Sequence, residues 1–152
     1  WEADTVIGAN HKGAIVTLVD RMSKFSLFTL VPDKTKESVT QAIEKSLQGM
    51  KQNVQTITFD NGKEFAGHQE ISKSLDALCF FAKPYHSWER GLNEHTNGLL
   101  RQFVPKKSNF EQFSQEDIDF AQNSLNNRPR KVLNYKTPAE IFFKYGSVAF
   151  AA

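Results

Sequence analysis

Residues 1–31 read WEADTVIGANHKGAIVTLVDRMSKFSLFTLV. Three runs rich in β-branched and aromatic residues, Trp1–Gly8, Ala14–Asp20 and Phe25–Val31, are separated by polar turns and predict three consecutive strands. Pro32 and Asp33 break the pattern. Thr35–Met50 then places Val39, Ile43 and Leu47 four apart, one stripe of an amphipathic helix. Val54–Phe59 (VQTITF) reads as a fourth strand that ends at the turn Asp60-Asn61-Gly62. A helix over Gly67–Leu75 and a short strand over Leu78–Ala82 follow, the strand closed by Pro84. Ser87 is placed to cap a helix running to about Phe103. Ser114–Asn126 opens with a capping Ser and acids in its first turn, and Pro129 breaks it. Thr137-Pro138 starts a last helix through about Lys144. The order βββαβαβ, then helices, predicts an α/β fold: a five-stranded mixed sheet flanked by helices.

At 152 residues the chain fits a single domain, 1–152, able to bury a core in which 13 Phe should figure heavily. A net charge of +2 argues against a polybasic tail-like binder but allows local basic patches. One cysteine, Cys79, rules out an internal disulfide framework and fits a reducing compartment. No apolar run approaches the roughly 20 residues that span a bilayer. The chain begins inside a strand, so we expect a domain excised from a longer protein.

Three acids stand where strands and helices would deliver them to one place. Asp4 lies inside the first strand, where a charge is a poor structural choice. Asp60 ends the fourth strand, and strand ends are where ligands bind in α/β sheets. Glu94 lies on the helix in WERGLNEHTNGLLRQF, residues 88–103. At about 100° per residue, Arg90, Glu94, Asn97 and Arg101 fall on one face of that helix and Trp88, Leu92, Thr96, Leu99 and Phe103 on the other. Gly91 and Gly98 flank Glu94, each at a cost of roughly 1 kcal/mol against Ala. Missing side chains there would admit a phosphate strand or another backbone. Each acid alone has an ordinary reading, as a solvated helix charge, a turn former or an edge-strand charge; the set is harder to dismiss.

The segments WEADT, TFDNGKEFAGH, PYHSWERGLNEHTNGLLRQFVPKK and LNNRPRK…YKTPAEI resemble the catalytic core of the DDE transposase and retroviral integrase superfamily. Within it the chain is most similar to the IS-thirty group of bacterial insertion-sequence transposases. Ala3 and His95 stand where relatives often have Gly and Asn. The resemblance implies a ribonuclease-H-like fold and a catalytic, metal-binding triad of Asp4, Asp60 and Glu94, with 33 residues between the last two. It implies two Mg²⁺ or Mn²⁺ ions, cleavage and strand transfer of DNA at element ends, a homodimer or higher oligomer, no membrane association, and a bacterial cytoplasmic, nucleoid-associated setting. Arg101, seven after the Glu, matches a basic residue that the superfamily often places there. Phosphate contacts are further expected of Arg90, Lys106, Lys107, Arg128, Arg130 and Lys131. A binding module that has lost catalysis and a ribonuclease-H-like nuclease are the alternatives. Asn61 and Lys63 could touch DNA or only shape the turn. His11, His68, His86 and His95 lack metal-site spacing.

Overall fold

The computed structural model describes residues 1–83 and 91–148, with side chains as far as residue 144. Five strands form one sheet: β1 (Glu2–Ile7), β2 (Ala14–Val19), β3 (Ser26–Val31), β4 (Thr56–Phe59) and β5 (Leu78–Phe81), in the order β3-β2-β1-β4-β5. The first three pair antiparallel; β4 joins β1 and β5 joins β4 in parallel. The helices are α1 (Lys36–Gln48), α2 (His68–Leu75), α3 (Gly91–Leu100), α4 (Gln115–Asn126) and α5 (Pro138–Val148). The predicted mixed α/β sheet flanked by helices is thus what the chain forms.

Alternation along the strands sends side chains to two cores. Ala14, Val16 and Leu18 of β2 join Val39, Ile43 and Leu47 of α1 and Ile71 and Leu75 of α2 on one face. Phe142 of α5 belongs to the same cluster and stacks on Phe25 with ring centroids 4.5 Å apart. Ile15 and Phe28 face the opposite way and pack with Leu100 of α3 and Ile118, Ala121 and Leu125 of α4. Helices therefore cover both faces, and β2 is buried at every position.

Local chemistry sets the helix starts. Thr35 caps α1 by accepting the Ser38 N–H. Ser114 and Asp117 form a capping box at α4, each side chain accepting the other's backbone N–H. Thr137 and Glu140 bond reciprocally at the start of α5. Across the sheet edge, the Asn126 amide of α4 bonds both backbone groups of Ser26, fastening α4 to β3.

Three details differ from the sequence reading. β4 starts at Thr56, because Lys51–Asn53 forms a 3₁₀ turn and Val54 closes it. Helix α5 continues to Val148. The buried stripe of α3 is Asn93, Thr96 and Leu100, with Leu92 and Leu99 only half-buried. Leu100 reaches the core beside Phe28, and the Asn93 N–H bonds Glu2 of β1; together they rotate the helix from the expected seam. The expected roles of Pro84, His86, Ser87, Trp88 and Arg90 lie outside the described residues.

Candidate active site

Glu2 stands opposite Thr58 where β1 and β4 run parallel. From that pair Asp4 lies two residues along β1, and Asp60 two residues along the neighbouring chain segment, just past the end of β4. Asp4 leaves the sheet on the α3 side. Its Oδ2 accepts a hydrogen bond from Asn97 Nδ2 at 2.9 Å, and its Oδ1 accepts the Thr5 N–H at 2.8 Å. One turn before Asn97, Glu94 is exposed. Asp4, Glu94, Asn97, Gly98, Arg101 and Lys106 line a common open cleft of about 670 Å³. The helix spacing that put Glu94, Asn97 and Arg101 on one face therefore delivers them to Asp4.

Asp60 is not among the residues lining that cleft. Its Oδ1 accepts the Gly62 N–H at 2.7 Å, which tightens the turn after β4. Asn61 Nδ2 donates to the Ala82 carbonyl at 3.1 Å, so that side chain ties the turn to the end of β5. Among the described residues no three His, Cys, Asp or Glu side chains gather closely enough to hold a metal ion. The donor chemistry nevertheless fits one: carboxylate oxygens suit a hard divalent cation, and three carboxylates without such a charge between them repel one another. Asp4, with a hydrogen bond on each oxygen, keeps lone pairs to give to a cation.

The basic residues divide into two groups. Arg101 and Lys106 face the cleft. Arg101 is also a fastener: its guanidinium bonds the carbonyls of Val104, Pro105 and Ile7 at 3.3–3.4 Å and lies over the Phe110 ring. Burial lowers its pKa from the ordinary arginine value. Lys107 is exposed in the same turn, with a left-handed backbone, φ 65°. Arg128, Arg130 and Lys131 lie elsewhere. Arg128 bonds Gln102 Oε1 at 3.0 Å and Arg130 bonds the Leu125 carbonyl at 3.1 Å. Arg130 lines a small hollow of about 70 Å³ with Lys24 and His95, beside Leu92 and Leu99 of α3. Burial first, and then the neighbouring Arg128 charge, lower the Arg130 pKa.

Sequence reasoning missed Glu64 and Lys34. Glu64, four residues after Asp60, is 6% exposed yet charged. It pairs with Lys34 Nζ at 2.7 Å and accepts the Thr5 hydroxyl hydrogen bond at 3.0 Å. Burial alone would raise the Glu64 pKa; the hydrogen bonds and charge of Lys34, its own backbone N–H and Thr5 bring it below the ordinary value. The available signal was an acid placed directly before the core residue Phe65.

With this geometry, the comparisons with known proteins have a clear meaning. The family model described as "Integrase core domain" matches residues 1–87. The chain is 47% identical over 99% of its length to the transposase for insertion sequence element IS4351 of Bacteroides fragilis, covering 47% of that protein. It is 42% identical over 93% of its length to the InsI transposase for insertion sequence element IS30A of Escherichia coli K12, covering 37% of it. The chain thus spans less than half the length of these relatives. Among solved structures, the catalytic core domain of BIV integrase superposes with a TM-score of 0.75 at 22% identity, covering 99% of this chain and 97% of that one. That likeness shows a ribonuclease-H-like fold. With the family model spanning more than half its residues, the chain belongs to the integrase core domain family.

Proposed function

We propose that this chain is the catalytic core of an insertion-sequence transposase, cleaving DNA and transferring the cut strand with the help of divalent metal. The observation that carries the reading is the cleft shared by Asp4 and Glu94 with the cations Arg101 and Lys106, with Asp60 just past the end of the neighbouring strand β4. Acids and cations lining one cleft suit a phosphodiester, whose reacting phosphorus needs metal and whose backbone needs positive charge.

In this reading Asp4, Asp60 and Glu94 would hold Mg²⁺ or Mn²⁺, two ions in the active complex. Bound there, the metal supplies Lewis-acid stabilisation of the attacking and leaving oxygens of an in-line displacement. Asn97 Nδ2 and the Thr5 N–H hold the Asp4 carboxylate in one orientation. Lys106 and the outer edge of Arg101 receive the DNA backbone and position it without reading bases. Among the described residues a Cβ built at Gly91 or Gly98 meets nothing within 4 Å, so the space over Gly98 is left for substrate. Arg128, Arg130 and Lys131 form a second basic patch, suited to another stretch of DNA backbone. Action on paired element ends would require a dimer or higher oligomer. No helix among the described residues is long and apolar enough to cross a membrane.

The test is Mn²⁺- and Mg²⁺-dependent cleavage and joining of branched DNA carrying a pre-cut end, run beside an RNA–DNA hybrid. Metal-dependent joining of DNA supports the proposal. Cleavage of the hybrid alone would make the protein a ribonuclease-H-like nuclease, and metal-independent binding with no cleavage would make it a binding module.

A further inference from the structure

We propose that the Lys34–Glu64 ion pair, clasped to Thr5, is a strut that sets the separation between Asp4 and Asp60, making Glu64 a positioning residue of the site. The inference rests on the metal-site reading above. A continuous series of bonded and packed groups links the two aspartates. Asp4 Oδ1 accepts the Thr5 N–H at 2.8 Å, and the Thr5 hydroxyl donates to Glu64 Oε1 at 3.0 Å. The Glu64 carboxylate folds back over Gly62, whose N–H holds Asp60 Oδ1 at 2.7 Å. The fit is tight: a Cβ on Gly62 would run into the Glu64 carboxylate and lie 2.7 Å from Asp60 Oδ1. Lys34, in the loop between β3 and α1, closes the arrangement at 2.7 Å.

Two physical arguments favour positioning over simple stability. The pair is one-sided: Lys34 reaches Glu64 from an exposed position, so their attraction is weakened by solvent and recovers little of the cost of burying the acid, a cost that a neutral side chain of similar volume would not carry. Here the carboxylate side chain is 5% exposed and the pair sits against the turn that carries Asp60. Electrostatics points the same way. Glu64 and Asp60 crowd the same glycine, and like charges so placed push apart. Lys34 neutralises Glu64, so the turn can stay closed around Asp60 without adding free negative charge where a phosphate must approach. Thr5 serves both ends, its amide on Asp4 and its hydroxyl on Glu64.

The experiment uses the 152-residue chain, with Thr5→Val and the double variant Lys34→Met/Glu64→Gln. The double variant removes both charges, so it leaves no unpaired buried carboxylate to unfold the protein. Two readouts are taken: amide hydrogen exchange at Gly62 and Thr5 without metal, and the Mn²⁺ concentration giving half of the full melting shift. The strut predicts that exchange at Gly62 speeds up at least tenfold and the half-saturating Mn²⁺ rises at least tenfold in both variants. The metal-free melting temperature should move little. Unchanged Gly62 exchange and unchanged half-saturation, with only a lower melting temperature, would overturn it and leave the pair a packing detail. Asp60→Asn and Glu94→Gln are the controls. If both keep the parent's Mn²⁺ response, the metal-site reading itself fails, and the metal-free exchange at Gly62 still decides whether the strut holds the turn.

Discussion

Gly98 occupies a helix position that no described residue requires to be glycine. A Cβ there meets no atom of the described residues within 4 Å, and its backbone is ordinary helix. Gly98→Ala should therefore stabilise α3 by up to about 1 kcal/mol and raise the melting temperature by about 2–4 °C. If the open space is where DNA lies, strand transfer should fall even as stability rises. A variant more stable and fully active would show that substrate does not approach Gly98. Arg101 and Lys106 separate in a similar way. Lys106→Ala should leave melting unchanged and lower the slope of log affinity against log salt by roughly 0.9 for each duplex phosphate that the lysine neutralises. Arg101→Ala should lower the slope and also the melting temperature, because the guanidinium ties Ile7 to the turn at Val104 and Pro105. Equal melting for both variants would contradict the fastening role. Glu94 was legible in the sequence because its helix had an otherwise poor composition. Glu64 was not, since its partners, Thr5 and Lys34, are distant in the chain and meet it only after folding.

Helix starts, together with the buried Glu64, carry acid sensitivity of the fold. Asp117 accepts the Ser114 N–H and hydroxyl at 2.8 and 2.9 Å, and Glu140 accepts the Thr137 N–H at 2.6 Å. Backbone hydrogen bonds first, then side-chain ones, lower both pKa values. A carboxyl that binds its proton more weakly when folded stabilises the fold above its unfolded pKa, about 4, and loses that contribution as pH falls through the folded value. Melting temperature should therefore decline on the acid side below about pH 5, and Asp117→Asn should make that limb shallower. An acid limb identical to the parent's would show that Asp117 does not carry this sensitivity. These caps were readable because Ser, Thr and acids at fixed offsets state their own hydrogen bonds. The succession of strands was readable as well, because β-rich runs separated by polar turns mark themselves, whereas their order within the sheet was not. The rotation of α3 was not. Periodicity centred the buried face on Leu92, Thr96 and Leu99, while the fold buries Thr96 with the polar Asn93 and with Leu100. A buried Asn contributes nothing to an apolar stripe, so periodicity could not find it.

At the scale of the molecule, the sheet order puts β1 between β2 and β4, and everything in the site follows from that placement. The central strand and α3, which crosses over β1, bring Asp4 and Glu94 to one cleft, while Asp60 sits just past the end of the parallel neighbour β4. The resemblance to integrase cores implies these three acids, because its motifs cover the chain nearly end to end, and the fold brings two of them, Asp4 and Glu94, to one cleft. The links between Asp60, Gly62, Glu64, Thr5 and Lys34 carry no such signature, since each is a distance and not a pattern. The central claim is that Glu94 binds metal at a site shared with Asp4 and Asp60. Glu94→Gln tests it most directly, as the amide keeps the size of the exposed side chain and should cost the fold no more than about 0.5 kcal/mol. The measurement is strand transfer of a pre-cut DNA end, with melting recorded with and without Mn²⁺ on the same preparation. A metal-binding Glu94 predicts a metal-free melting temperature close to the parent's, a diminished Mn²⁺-induced shift, and strand transfer lower by orders of magnitude. Near-normal strand transfer by Glu94→Gln, in a preparation whose parent is active, would contradict it and return Glu94 to an ordinary surface acid.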